Sequence, residues 1–188
     1  VGAPDRVRSE REGVEEAVGE AARAAEVGAA GQVDGAVGRE GVDKLLASFR
    51  AVPAGKRVRL AKKTSNLFRS RSEEQEGLDV SGLSGVIEVD PVARTADVQG
   101  MCTYEDLVDA TLPHGLMPFV VPQLKTITLG GAVTGMGVES TSFRNGLPHE
   151  SVLEMDVLTG TGEIVTARPD GTARERDLFR GFPNSYGS

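Results

Sequence analysis

Tryptophan is absent from this sequence, and its 188 residues include only one cysteine, two histidines and two tyrosines. A single cysteine excludes an intramolecular disulfide framework and any CxxC zinc site. His114 and His149 are too far apart in sequence to form a short-spaced zinc pair. No uninterrupted apolar run approaches the ~20 residues that a membrane helix requires. The N-terminus also lacks the apolar core of a signal peptide, so the expected setting is reducing and cytoplasmic. Basic residues are in short supply too: 21 stand against 28 acidic ones, a net charge of −7. Nucleic-acid binding rests on a basic face that neutralises phosphates, and this balance argues against it.

What is present is unevenly distributed. Residues 1–40 contain no Leu, Ile, Met or aromatic side chain, and seven of the 24 glycines. With nine acids and five bases they carry −4 of the total −7. A segment so poor in large apolar groups cannot offset the entropy of ordering. The expectation for 1–40 is a disordered or frayed-helix tail, with helix conceivable over Glu10–Val27. The globular part is expected to run over 41–188, long enough to bury a core.

Within it, Val42, Leu45, Leu46 and Phe49 predict a short helix stopped before Pro53. Val58–Ala61 reads as a strand, followed by the polar loop TSNLFRSR and a solvated connection SEEQEGLD. GVIEVD (85–90) and TADVQG (95–100) read as two strands joined at Asp90-Pro91. Thr103, with Asp106 three residues on, caps a helix whose expected buried set is Tyr104, Leu107, Val108 and Leu112. FVVP (119–122) reads as a short buried strand. Residues 151–167 alternate apolar and polar around Thr-Gly-Thr-Gly, the pattern of a β-hairpin with one buried face. Asp177-Leu-Phe-Arg reads as a helical turn. The class is mixed α and β, without internal repeats.

The chemistry concentrates at 122–146. Gly130, Gly131, Gly135 and Gly137 fall within eight residues, preceded by Thr126 and Thr128 and followed by Ser140, Thr141 and Ser142. Closely spaced glycines let backbone approach a ligand and offer N–H donors to an anion, and a diphosphate fits that pattern. Equally, such a run serves as a structural turn between strands. Two standard phosphate motifs fail. Gly130 and Gly135 have Walker spacing, but Met136 stands where the lysine must be. The Rossmann fingerprint lacks its third glycine at Ser140, and the antiparallel hairpin disagrees with a doubly wound fold.

The string LKTITLGGAVTGMGVESTSFRNGLPHESVLEMDVLTGTGEIVTA, with PFVVPQL before it and DLFRGFPNSYG after it, resembles the FAD-binding domain of the vanillyl-alcohol oxidase / p-cresol methylhydroxylase (PCMH-type) superfamily. Within it the sequence is most similar to the branch of the delta-24 sterol reductases and their bacterial relatives. The resemblance runs from about Val58 to Gly187. It implies an α+β, two-lobed domain with mixed and antiparallel strands, flanking helices and an extended FAD between the lobes. The flavin motif would cover Thr128, Leu129, Gly130, Gly131, Ala132, Val133, Thr134, Gly135, Met136, Gly137, Val138, Glu139 and Ser140, with Ser142 beside it. Ser65 and Asn66, in TSNLF, occupy the position of the family's first FAD loop. Many members carry a glycine-rich first loop with a flavin-linked histidine; KKTSNLFRSR has neither Gly nor His, so non-covalent FAD is implied.

Family members continue past the NSYG motif into the end of the FAD domain and a substrate-binding cap, whereas this sequence stops at Ser188. The resemblance therefore implies a domain incomplete at its C-terminus. It would be the FAD-binding part of a flavin-dependent oxidoreductase with a small-molecule, sterol-like substrate in the full-length parent, and inactive alone. The alternative is a non-catalytic remnant or interaction domain that keeps the fold without cofactor.

Outside the motif, His149 reads as a loop residue, with a place near a flavin edge as the alternative, His114 as a helix C-terminal cap and Cys102 as a small buried residue. Tyr104, Tyr186 and Phe182 read as core or rim aromatics. Glu139 stands open between an ion pair with Arg144 and a cofactor contact.

Overall fold

A computed structural model describes residues 26–28, 36–53, 58–61 and 77–185. The first strand, β1 (Glu26–Gly28), lies in the segment expected to be tail and pairs in parallel with a later strand. Long-range pairing supplies backbone partners that the local composition does not call for. Helix α1 (Ala36–Ala51) starts inside the same segment, so the boundary expected at residue 40 falls within a helix. Its far end stops before Pro53 as the sequence requires.

α1 is held by a close approach. A Cβ on Gly41 would lie 2.3 Å from the Gly82 carbonyl oxygen, so only glycine allows the helix to touch the 81–82 turn there. Ser48 Oγ accepts from Asp79 N at 2.9 Å and donates to Leu45 O at 2.8 Å. Phe49 covers Gly162, tying α1 to the turn of the hairpin.

β2 (Arg59–Ala61) pairs in parallel with β3 (Gly77–Asp79), Leu60 opposite Leu78. The end of the expected solvated connection is thus a strand, and Leu78 is buried. β4 (Val86–Asp90) and β5 (Thr95–Val98) form the expected antiparallel pair, giving a sheet in the order β1-β5-β4. Asp90 shapes the turn by accepting from the N–H groups of Val92 and Ala93 at 2.8 and 2.9 Å.

Thr103 caps α2 (Tyr104–Thr111) by accepting from Asp106 N at 3.1 Å. Tyr104 and Leu107 face the core as expected, but Leu112 does not, being 57% exposed. The helix gives way there to a 3-10 turn (Leu112–His114), which rotates the face, and Thr111 is buried instead. Thr111 satisfies its hydroxyl by donating to Leu107 O at 2.9 Å.

Residues 119–122 form no strand. Proline at 118 and 122 removes ladder donors, and Phe119 O accepts from Asn145 Nδ2 at 2.8 Å and Thr141 Oγ1 at 3.2 Å. Val120 is nevertheless buried. Two short helices, α3 (Leu129–Thr134) and α4 (Ser142–Asn145), and a 3-10 turn (Pro148–Ser151) lead to the hairpin of β6 (Met155–Leu158) and β7 (Ile164–Ala167). Met155 and Val157 point inward from β6, Val165 and Ala167 from β7. The chain then enters α5 (Ala173–Gly181), longer than the expected helical turn because Thr172 and Glu175 close a capping box.

One apolar core joins these pieces: Ala96 and Val98 from β5, Tyr104 and Leu107 from α2, Leu129, Ala132 and Val133 from α3, and Met155, Val157 and Ala167 from the hairpin. The glycine-rich segment is therefore bolted to both halves of the described fold.

Candidate functional site

The segment Thr128–Ser142 divides into two parts with opposite hydrogen-bond accounts. Thr128 is the N-cap of α3, its hydroxyl accepting from Gly131 N at 3.2 Å. Leu129 N donates to Cys102 O at 2.9 Å, Gly130 N to Gly100 O at 2.8 Å, and Ala132 N to Thr128 O at 2.9 Å. All four donors at the start of the helix are thus committed within the chain, where the sequence had suggested an open anion-wrapping loop. Leu129, Ala132 and Val133 bury their side chains, and Thr134 donates back to Gly130 O at 2.8 Å. The Gly130-Gly131 pair serves close packing: a Cβ on Gly130 would lie 2.7 Å from Gly100 O.

The second part is different. After Gly135 the chain turns through Met136, which adopts the left-handed φ of 51° that only a few per cent of non-glycine residues show. Gly137 N donates to Ala132 O at 3.2 Å, and a Cβ on Gly137 would meet Pro148 Cγ at 3.0 Å. Glu139 N donates to Ser142 Oγ at 3.0 Å, and Ser142 N returns to Glu139 O at 2.9 Å. Between these anchors the N–H groups of Met136, Val138 and Ser140 donate to nothing among the described residues. Met136 and Val138 are 52% and 62% exposed, so these donors lie in an accessible turn. Three such donors within five residues form an arrangement that suits the non-bridging oxygens of a diphosphate.

Glu139 and Arg144 form no salt bridge among the described residues. The Glu139 carboxylate lies near the Tyr104 phenol, whose pKa is pushed up first by burial and then by that charge. Ser65 and Asn66 lie outside the described residues, as does Tyr186.

Two further groups pack near α3: His149, read from the sequence as a loop residue, and Asn184, which entered there only as part of the NSYG motif. His149 sits on the 3-10 turn, and its Nδ1 is buried without a hydrogen-bond partner among the described residues. Asn184, at a left-handed φ of 61°, donates its N–H to Val133 O at 3.1 Å, and its Oδ1 is likewise buried and unpartnered. Both lie in the strings that carry the family resemblance, but their burial is set by distant segments meeting at α3.

Cys102 is fully buried, and burial, with the Asp106 charge adding, pushes its thiol up to about 11, so it is no nucleophile at neutral pH. His114 is exposed at the end of the 3-10 turn after α2. Among the described residues no group of His, Cys, Asp and Glu could hold a metal ion, and no helix is long and apolar enough to cross a membrane.

A family model described as the FAD binding domain matches residues 40–168. The chain belongs to the FAD-binding domain family. Its cofactor is FAD, and its mixed α and β architecture agrees with that family. Curated relatives are similarly placed. Cytokinin dehydrogenase 7 of Oryza sativa subsp. japonica is 40% identical over 87 residues, covering 46% of this chain and 16% of the relative. Cytokinin dehydrogenase 3 of the same plant is 27% identical over 152 residues, 78% of this chain and 28% of the relative. The Delta(24)-sterol reductase of Pisum sativum is 28% identical over 111 residues, 59% of this chain and 19% of the relative. The chain therefore spans less than a third of the length of these flavin-dependent oxidoreductases. The sterol reductase belongs to the branch that the sequence resemblance named, and the cytokinin dehydrogenases are similar to the chain as well.

Proposed function

We propose that this chain is the FAD-holding part of a flavin-dependent oxidoreductase and that it binds the cofactor's diphosphate at the Met136–Ser140 turn. The observation that supports this placement is the set of unengaged N–H groups of Met136, Val138 and Ser140, beside α3, whose own first donors are all internally bonded. Thr128 to Thr134 then act as the rigid base that aims the turn, while Gly135 to Glu139, Ser140 and Ser142 form the contact surface. Ser65 and Asn66 would supply the first FAD loop. The overall charge of −7 falls largely on residues 1–40, which leaves the folded part only mildly acidic and able to accept an anionic cofactor.

When bound, FAD supplies hydride and electron transfer at its isoalloxazine ring. This chain's share is to fix the diphosphate and to orient the rest. Glycine at 137 keeps Pro148 in contact with the turn, so the donors are held by packing and do not have to be ordered on binding. Neither histidine lies in the KKTSNLFRSR segment, so attachment is non-covalent. The relatives' names point to a small-molecule substrate of the sterol or cytokinin kind for the whole protein.

The test is gel filtration of the purified chain mixed with FAD, followed through the visible flavin absorption. Co-elution is expected, with all colour released into the supernatant on acid precipitation. A colourless, folded protein peak would refute the reading in favour of a domain that keeps the fold without cofactor. Colour retained in the acid pellet would refute non-covalent attachment.

A further inference from the structure

Three buried side-chain atoms lack a partner among the described residues: Gln99 Nε2, His149 Nδ1 and Asn184 Oδ1. The first lies beside the β4–β5 pair, on a side chain already anchored through Oε1 to Gly85 N at 2.7 Å. The other two are carried by segments that both pack against α3. The 3-10 turn that carries His149 packs on α3, with Pro148 against Gly137. Asn184 docks through its N–H on Val133 O in the last turn of the same helix. Asn184 and Met136 are also two of the three non-glycine residues with left-handed φ among the described residues, at 61° and 51°. Unpaired polar atoms and unusual backbone are each costly, and their coincidence at one helix end marks a place shaped for something other than stability.

We infer that His149 and Asn184 are cofactor contacts and that each takes a sugar-type hydroxyl of the FAD. The inference rests on the reading that this chain binds FAD. The chemistry follows from the atoms. Asn184 Oδ1 can only accept, so a phosphate oxygen, itself an acceptor, does not suit it. A hydroxyl donates to Asn184 and exchanges either role with His149 Nδ1. FAD carries such groups on its ribityl chain and on its adenosine ribose, on either side of the diphosphate placed at Met136–Ser140. Both residues are partly exposed, so contact needs a side-chain rotation and no opening of the core.

The expected signature is a trade of stability against binding. His149→Phe removes the unpaired nitrogen while keeping a ring, and Asn184→Gly removes the unpaired oxygen while tolerating the left-handed backbone. Each ligand-free variant should unfold at or above the temperature of the parent chain. Each should bind FAD about five- to tenfold more weakly, measured by quenching of flavin fluorescence. His149→Asn, which returns a polar atom near the Nδ1 position, should recover most of the lost affinity. Competition by FMN and by ADP separates the two sources: weakening shared by FMN assigns the ribityl hydroxyls, and weakening shared by ADP assigns the ribose. FAD affinity within twofold of the parent in both variants overturns the inference, as does a lower unfolding temperature with unchanged affinity. A parent chain that takes up no FAD overturns the cofactor reading itself, a result distinct from equal binding by parent and variants.

Discussion

Replacing Gly130 by alanine separates the two roles that a glycine-rich segment can play. A Cβ at this position would lie 2.7 Å from the Gly100 carbonyl oxygen and 3.3 Å from its carbon. Backbone cannot swing aside like the end of a side chain, so α3 must retreat from the Gly100 turn. That retreat stretches the 2.8 Å bond from Gly130 N to Gly100 O. Forcing a group into a packed contact costs ~1–3 kcal/mol, and a lost backbone hydrogen bond adds about 1 kcal/mol. The greater helix propensity of alanine returns about 1 kcal/mol. The net expectation is a loss of roughly 1–3 kcal/mol, read as a lower urea midpoint by far-ultraviolet circular dichroism.

Gly131→Ala is the internal control. Its Cβ would meet Thr128 Oγ1 at 2.9 Å, a hydroxyl that can rotate away. Giving up the cap costs about 1 kcal/mol, and the propensity gain of about 1 kcal/mol cancels it. The control should therefore be close to neutral and should keep its FAD affinity, because Gly131 N already donates to Thr128. Equal stability of the two variants would refute the packing argument. A large loss of FAD affinity in Gly131→Ala at unchanged stability would return the diphosphate to the start of the helix.

Three further outcomes are expected. Gly41→Ala would put a Cβ 2.3 Å from Gly82 O, so α1 should undock from the 81–82 turn; faster amide exchange across α1 would show it, and unchanged protection would contradict it. Thr172→Ala removes the hydroxyl that accepts from Glu175 N at the start of α5 while leaving the bond from Thr172 N to the Glu175 carboxylate in place, a loss of about 1 kcal/mol visible as a lower unfolding midpoint. The Cys102 thiol, raised by burial from 9 to about 11, binds its proton more tightly in the folded state than in the unfolded one. Its contribution to stability is therefore complete below pH 9 and is lost as pH rises from 9 towards 11. Urea titrations across that window should show Cys102→Ala losing less stability with pH than the parent chain, and parallel slopes would disprove the linkage. The buried Tyr104 phenol adds a decline of the same sign at higher pH, common to both proteins.

Local signals in this chain are strong wherever one short segment settles its own geometry. Thr103 and Asp106 mark the start of α2, Asp90-Pro91 marks the β4–β5 turn, and the alternation around Thr159–Gly162 marks the hairpin. In each case the residues that pair to define the element lie no more than twelve positions apart, so composition and spacing suffice. The ordered string around 122–167 was enough to identify the FAD-binding family.

Tertiary structure decided what depends on distant partners. β1 and β3 exist because β5 and β2 lie beside them, not because Glu26–Gly28 or Gly77–Asp79 favour strands. Residues 119–122 are not a strand because side chains of Thr141 and Asn145 satisfy the Phe119 carbonyl. The same physics divides the glycine segment. Four glycines in eight residues look alike as letters, yet Gly130 meets the Gly100 backbone while Gly137 meets Pro148 beside open donors. Which N–H groups remain for a ligand depends on which carbonyls other segments bring to them, and only the assembled fold sets that.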